Sequence, residues 1–172
     1  MKRNEEERIS FQNKMKEHNQ MSRTIVYIDE SGFAHDMPRL YGYSTRGTRC
    51  YGTRDWGAKG RTNVIGALVD KELVSVELVN QNINTSVFSD YIVNKLLPKL
   101  PKESVIVMDN ASFHKSKHMQ DKIKSAGCIL QYLPTYSPDL NPIEHKWAER
   151  KSLRRKLACD VKSLFAAEVL CI

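Results

Sequence analysis

No two of the four cysteines (Cys50, Cys128, Cys159 and Cys171) stand in a Cys-x-x-Cys spacing, which argues against a zinc ribbon and leaves reduced thiols as the default. Long apolar runs are missing as well. The longest, such as residues 64–69, are strand-sized and fall far short of the roughly 20 residues of a membrane span. No membrane partner is therefore expected. The N-terminus, Met1-Lys2-Arg3-Asn4-Glu5-Glu6-Glu7, lacks the apolar core of a secretory signal, so the expected location is cytoplasmic. Glycine and proline are sparse, at 8 and 6 residues, which excludes collagen and low-complexity chains. What is present is ordinary for a folded domain: 172 residues, 41% hydrophobic and 27% charged. A chain of that length can bury a real core. The 27 Lys and Arg outnumber the 20 Asp and Glu, giving a net charge of +7 that points to a polyanionic partner and is silent about fold.

Residues 1–20 are polar, with a weak helical stripe at Ile9, Phe11, Met15 and His18, and read as a short exposed helix or arm. Residues 24–28 form a β-branched run that meets Asp29-Glu30-Ser31-Gly32, read as a strand and then a turn. The Gly-, Arg- and Tyr-rich stretch 38–61 is expected to hold one short strand near 49–51. Residues 62–69 and 72–79, separated by Asp70-Lys71, read as a β-hairpin. Apolar positions 87, 88, 91, 92 and 96 have helical spacing, and Pro98 and Pro101 stop that helix. Residues 104–108 and 128–133 read as buried strands, 115–125 as a helix closed by Gly127, and about 142–157 as a last helix. The fold class is α/β: a mixed central sheet with an antiparallel edge and a parallel centre, flanked by helices. The expected organisation is a polar arm or helix at 1–23, one α/β domain at 24–157 and a short tail at 158–172, whose apolar Leu164, Phe165, Val169 and Leu170 read as a final packing helix cut short or as exposed residues for self-association.

Three acids sit at comparable places. Asp29 and Asp109 each close a strand, and Glu144 lies in the first turn of the last helix. Open α/β sheets gather ligands outside the carboxyl ends of their strands. Two unit charges about 4 Å apart repel by roughly 4 kcal/mol at an effective dielectric near 20. A carboxylate trio therefore calls for a cation, and all-oxygen ligation favours Mg²⁺ or Mn²⁺. Each acid also has a plainer reading. Asp29 can be a turn former. Glu144 fits a capping box, with Asn141 as N-cap and Pro142 at the first helical position. Glu30 points to the opposite strand face from Asp29, and periodicity alone does not say which of the two faces the site. Asp139 suits loop chemistry.

The motifs around these acids are specific. Val26-Tyr27-Ile28-Asp29-Glu30-Ser31-Gly32-Phe33 resembles the first catalytic strand of mariner-like DDE transposases of the bacterial insertion-sequence branch. Val107-Met108-Asp109-Asn110-Ala111-Ser112-Phe113-His114 resembles their second acidic motif. Leu133-Pro134-Thr135-Tyr136-Ser137-Pro138-Asp139-Leu140-Asn141-Pro142-Ile143-Glu144, followed by Trp147, resembles the third. The resemblance covers about residues 24–157. It implies a ribonuclease-H-like fold, with Asp29 rather than Glu30 joining Asp109 and Glu144 as catalytic metal ligands. It implies two Mg²⁺ or Mn²⁺ ions, cleavage of DNA at element ends and strand transfer into target DNA. Asn110 and His114, flanking the second acid, read as supporting groups or phosphate contacts, with a turn former and an exposed histidine as the alternative.

Two stretches are strongly basic. Residues 39–61 hold Arg39, Arg46, Arg49, Arg54, Lys59 and Arg61 against Asp55, interleaved with Tyr41, Tyr43, Tyr51 and Trp56. Residues 146–162 hold seven basic residues against Glu149 and Asp160, with Lys151 and Arg155 on about the face of Glu144. Such patches grip phosphates and stack on unpaired bases, or are merely solvated. The candidate DNA contacts are Arg46, Arg49, Arg54, Lys59, Arg61, Lys151 and Arg155. The expected partners are double-stranded DNA, both element ends and target, and a further copy of the chain, since two ends must meet. Some 23 residues precede the first strand, too few for the helix-turn-helix modules that such transposases carry ahead of this domain, so a separate helix-turn-helix protein is a further expected partner. Two alternatives stay open: a catalytically silent relic or regulator that binds DNA or full-length transposase, and a related nuclease acting on structured or hybrid substrates.

Overall fold

The structure, a computed structural model, describes residues 4–36, 42–51 and 59–166. Five strands form one sheet in the order β3-β2-β1-β4-β5. Strand β1 (Ile25–Ala34) is its middle member. It pairs antiparallel with β2 (Arg61–Val69), which pairs antiparallel with β3 (Glu72–Val79) through the expected hairpin. On its other side β1 pairs parallel with β4 (Val105–Met108), and β4 pairs parallel with β5 (Ile129–Tyr132). The mixed α/β sheet expected from the element order is thus present.

Helices cover both faces. On one, Val26, Ile28, Ile65, Ala67, Ile106 and Met108 pack against α2 (Thr85–Asp90), its continuation to Leu96, and α3 (Lys117–Ser125). Asn84 caps α2 by accepting from Val87 N at 3.0 Å. The helix then loosens into a π-turn over Tyr91–Leu96 and tightens to 3₁₀ at Leu97–Lys99. Pro98, which offers no N–H to the helical ladder, sits where it ends. Gly127, at φ +75°, closes α3 as expected. On the other face, Phe33, Val64, Leu68 and Val76 pack against Ile143 and Trp147 of α4 (Ile143–Leu157) and against Val161, Leu164 and Phe165 in and just after α5 (Val161–Leu164). Beside them, Val105, Val107 and Leu133 meet Phe11 and Met15 of α1 (Glu5–Gln20).

Several expectations need correction. The Asp29-Glu30-Ser31-Gly32 segment is not a turn. Antiparallel pairing with β2 carries β1 on to Ala34, opposite Arg61, and tertiary pairing overrides the turn preference of those residues. No strand forms at 49–51, which is exposed coil. Strand β5 is half-buried rather than buried because it lies at the sheet edge. The N-terminal helix is not merely exposed: Phe11 and Met15 are buried, while Ile9 faces outward. Its Arg8 makes a two-pronged ion pair with Asp139, at 2.7 and 3.2 Å, and so holds the loop before α4. Leu164 and Phe165 are buried, which removes them as exposed association residues, and Val169 and Leu170 lie outside the described residues. No helix among the described residues is long and apolar enough to cross a membrane.

Candidate active site

The last parallel pair between β1 and β4 is Tyr27 with Val107. Two residues further along the same register, β1 reaches Asp29 and the chain beyond β4 reaches Asp109. The strands part here, since β4 ends at Met108 while β1 runs on with β2. A cleft of about 380 Å³ opens at this point, lined by Asp29, Asp109, Asn110, Asn141 and Glu144, among others. The structure therefore brings the three acids named from sequence to one cleft. Asn110 shares it, exposed at the rim.

Asp29 faces α4 and is buried, at 8% exposure. Burial, followed by the charges of Glu30 and Glu144, pushes its pKa up to about 7. Its Oδ2 accepts a hydrogen bond from Trp147 Nε1 at 3.1 Å. That indole reaches the sheet because Gly66, paired across from Asp29 on β2, has no side chain. A Cβ at Gly66 would lie 2.5 Å from Trp147 Cη2 and 2.9 Å from Cζ2. Gly66→Ala is therefore expected to cost about 1–3 kcal/mol by overpacking and to displace the indole from Asp29. Urea unfolding checks this, and unchanged stability would mean that the ring does not rest on the strand.

Asp109 is half-exposed and is oriented from below. His114, fully buried, places Nδ1 2.5 Å from Asp109 Oδ1 and Nε2 2.7 Å from Glu30 Oε1. Its ring packs against both Phe88 and Phe113, with centroids 4.1 and 4.2 Å away. Tyr132 Oη donates to its carbonyl oxygen at 2.9 Å. Burial works against a charge on His114, but the bonds to Asp109 and Glu30 outweigh it and raise the pKa to about 9. The same bond from His114, aided by Ala111 N–H, holds Asp109 below the usual carboxylate range. The exposed-histidine alternative for His114 is thus overturned. Glu30 proves to be the acid on the far face of β1, linked to the site through this imidazole.

Glu144 is exposed at the start of α4. The capping box read from sequence is absent, since no side chain among the described residues caps this helix. The first-turn N–H of Glu144 goes to the backbone oxygen of Asn141 at 3.2 Å, and the N–H of Asn141 goes to Pro138 O at 2.9 Å. The backbone oxygens of Asn141 and of Pro138, in the preceding 3₁₀ turn Pro138–Leu140, thus serve the N–H groups that a capping box would have served. Asn141 itself is buried.

Among the described residues, no three His, Cys, Asp or Glu side chains stand close enough together to hold a metal ion as placed. The donor chemistry nevertheless fits a hard divalent cation: three carboxylates share the cleft, and one is buried against its own charge. The described candidate DNA contacts lie apart from this cleft's lining. Arg46, Arg49, Lys59, Arg61 and Arg155 are exposed, and Arg49 lies over the Tyr51 ring at 5.9 Å. Lys151 is half-buried over the Phe33 ring at 5.5 Å. Arg54, with Arg39, Tyr41, Asp55 and Trp56, falls outside the described residues. Sequence reasoning missed what Trp147 and Gly66 do. The available signals were a glycine inside a buried strand and a tryptophan one helical turn beyond Glu144.

The model of the DDE superfamily endonuclease family matches residues 24–164. The chain belongs to this family. This DDE endonuclease chain is 30% identical over 131 residues to the Tc3 transposase of Caenorhabditis elegans, across 72% of its own length and 40% of the relative. It is 30% identical over 112 residues to the Tcb1 transposase of Caenorhabditis briggsae, across 62% of its length and 41% of the relative. The chain thus spans less than half the length of these curated relatives. Among solved structures, it resembles the Mos1 transposase paired-end complex with the left transposon end, at TM-score 0.71 and 18% identity, covering 90% of this chain and 50% of that one. It also resembles the catalytic domain of Mos1 mariner transposase, at TM-score 0.60 and 16% identity, covering 90% and 71%. The shared architecture is ribonuclease-H-like.

Proposed function

We propose that this chain is the catalytic part of a DNA transposase, which cleaves DNA at element ends and joins the freed strand to target DNA with the help of divalent metal. One observation carries the reading: acids from β1, from the end of β4 and from the start of α4 line a single cleft. Asp29, Asp109 and Glu144 would hold the metal, Mg²⁺ or Mn²⁺. Trp147 already fixes Asp29, while half-exposed Asp109 and exposed Glu144 have room to turn toward an ion. When bound, a pair of such ions activates an attacking oxygen and stabilises a leaving one during in-line displacement at phosphorus. Solved Mos1 paired-end complexes with Mg and with Mn support the metal class, and a Mos1 strand transfer complex supports the joining step.

The protein's own contribution is orientation. His114 sets the direction of Asp109, and Trp147 sets that of Asp29. Arg46, Arg49, Arg54, Lys59 and Arg61 from one stretch, with Lys151 and Arg155 of α4, would track the DNA backbone. The active assembly holds at least two copies, so that both ends are brought together, and a helix-turn-helix module supplied by another chain or segment would read the ends. The test is nicking of DNA carrying the element's terminal repeat. Mg²⁺- or Mn²⁺-dependent nicking is expected, and Asp109→Ala should abolish it while circular dichroism stays native. Activity that survives in the folded variant would falsify the assignment. Salt-sensitive DNA binding with no cleavage under either metal would favour a silent regulator.

A further inference from the structure

We infer that Asn141 belongs to the metal site, its side-chain carbonyl accepting a hydrogen bond from a water carried by the divalent ion. The inference rests on the metal-dependent reading above and extends it to a fourth, uncharged oxygen.

Asn141 is buried, at 4% exposure, and lines the same cleft as Asp29, Asp109 and Glu144. Its Oδ1 is buried and has no hydrogen-bond partner among the described residues. Buried side-chain oxygens are rarely left so, because a carbonyl removed from water without a donor is destabilising. The usual explanation for an Asn immediately before Pro142 and α4 is helix capping, and that is absent: no side chain caps α4, and the first-turn N–H groups are served by backbone oxygens of Asn141 and Pro142. The side-chain oxygen therefore has no structural partner among the described residues, yet the fold holds it in place. The 3₁₀ turn Pro138–Leu140 sets the chain direction ahead of it, and the Arg8–Asp139 ion pair anchors that turn to α1.

Asn110, Thr135, Tyr136 and Ser137 also line the cleft and carry donors, but none of them bonds this oxygen, and the chemistry of the acids points to a donor brought by the ion. The three neighbouring acids accept hydrogen bonds when ionised and offer none. A DNA phosphate is likewise acceptor-only. A divalent ion of the Mg²⁺ class keeps several of its waters, and those waters donate. A neutral amide oxygen accepts such a bond without adding a fourth negative charge to a site where Asp29 is already buried beside Glu144. Supporting partners of this kind typically change metal affinity by about 10–100-fold.

The test is Mn²⁺ binding to the full chain without DNA, followed by the electron paramagnetic resonance signal of free Mn²⁺ and by metal-induced change in melting temperature. Asn141→Leu, which fills the space with an apolar group, should bind Mn²⁺ at least about 10-fold more weakly and show a smaller metal-induced rise in melting temperature. Its metal-free melting temperature should equal or exceed that of the wild type, a result that a purely structural asparagine would not give. Asn141→Ala should follow the same direction in Mn²⁺ affinity. Asn141→Asp, which keeps an oxygen there, should bind at least as tightly as the wild type. Equal Mn²⁺ affinity in wild type, Asn141→Leu and Asn141→Ala overturns the inference, and if Asp109→Ala weakens binding in the same experiment the catalytic reading survives alone. A wild type that binds no Mn²⁺ overturns both.

Discussion

Replacing Asp29 with Asn is expected to make the metal-free protein more stable at pH 7.5 while abolishing DNA cleavage. Asp29 is 8% exposed, and its carboxyl is raised from 3.8 to about 7, first by burial and then by Glu30 and Glu144. The folded state therefore holds a proton that the unfolded chain would release. Stability from the neutral acid is fully present below pH 3.8 and is lost as pH climbs through about 7. A tenfold change in acidity corresponds to about 1.4 kcal/mol, which sets an upper bound of about 4 kcal/mol on the loss at neutral pH. Asn keeps an oxygen for the Trp147 indole and carries no charge, so the variant escapes that loss. It also gives up the charge on which ion binding depends.

The measurement is urea unfolding of both proteins in chelator at pH 4 and pH 7.5. The variant's advantage should be small at the lower pH and reach its full size at the higher one, because the other titrating groups are common to both proteins and cancel. Added Mn²⁺ should stabilise the wild type, through selective binding to the folded state, and leave the variant nearly unchanged. An advantage independent of pH would refute the electrostatic account. An active variant would refute the role of Asp29.

The residues proposed to carry the chemistry were easier to read than the groups that hold them. Acids 29, 109 and 144 could be picked out because each sits in a local motif, and the alternation of β1 already put Asp29 and Glu30 on opposite faces. Periodicity could not assign those faces. The structure does so by placing Glu30 against His114 and Asp29 against Trp147. The length of β1 was illegible because it depends on pairing with residues 61–69, which no local preference for turns encodes. The capping box failed for a related reason: the sequence pattern was right, but the backbone oxygens of Asn141 and of Pro138 in the preceding turn had already met the same hydrogen-bonding needs. Contacts between distant positions left still less trace. Arg8 and Asp139 are 131 residues apart, and each alone resembles an ordinary surface charge.

The second large effect is expected at Glu30, whose carboxylate lies on the far face of β1 and bonds His114, although its charge is also felt by Asp29. Glu30→Ala should lower the cleavage rate by roughly 10–100-fold, as loss of an outer partner of a metal ligand typically does, because the imidazole that orients Asp109 then loses one of its two anchors. Glu30→Gln should retain more activity, since an amide oxygen can still accept from Nε2. The pair also predicts a pH signature. His114 has its pKa raised from 6.5 to about 9, so its contribution to stability is fully present below pH 6.5 and is lost as pH rises through about 9. Taking the charge from Glu30 removes one of the two groups that raise this value. The fall in unfolding free energy between about pH 6 and pH 9.5 should therefore be smaller in Glu30→Gln than in the wild type, while Glu30→Ala and Glu30→Gln differ in rate. Identical pH dependence in wild type and Glu30→Gln would show that the carboxylate does not hold the imidazolium. A rate unaffected by Glu30→Ala would show that Asp109 keeps its direction without this relay, leaving the flanking rings of Phe88 and Phe113 to position His114.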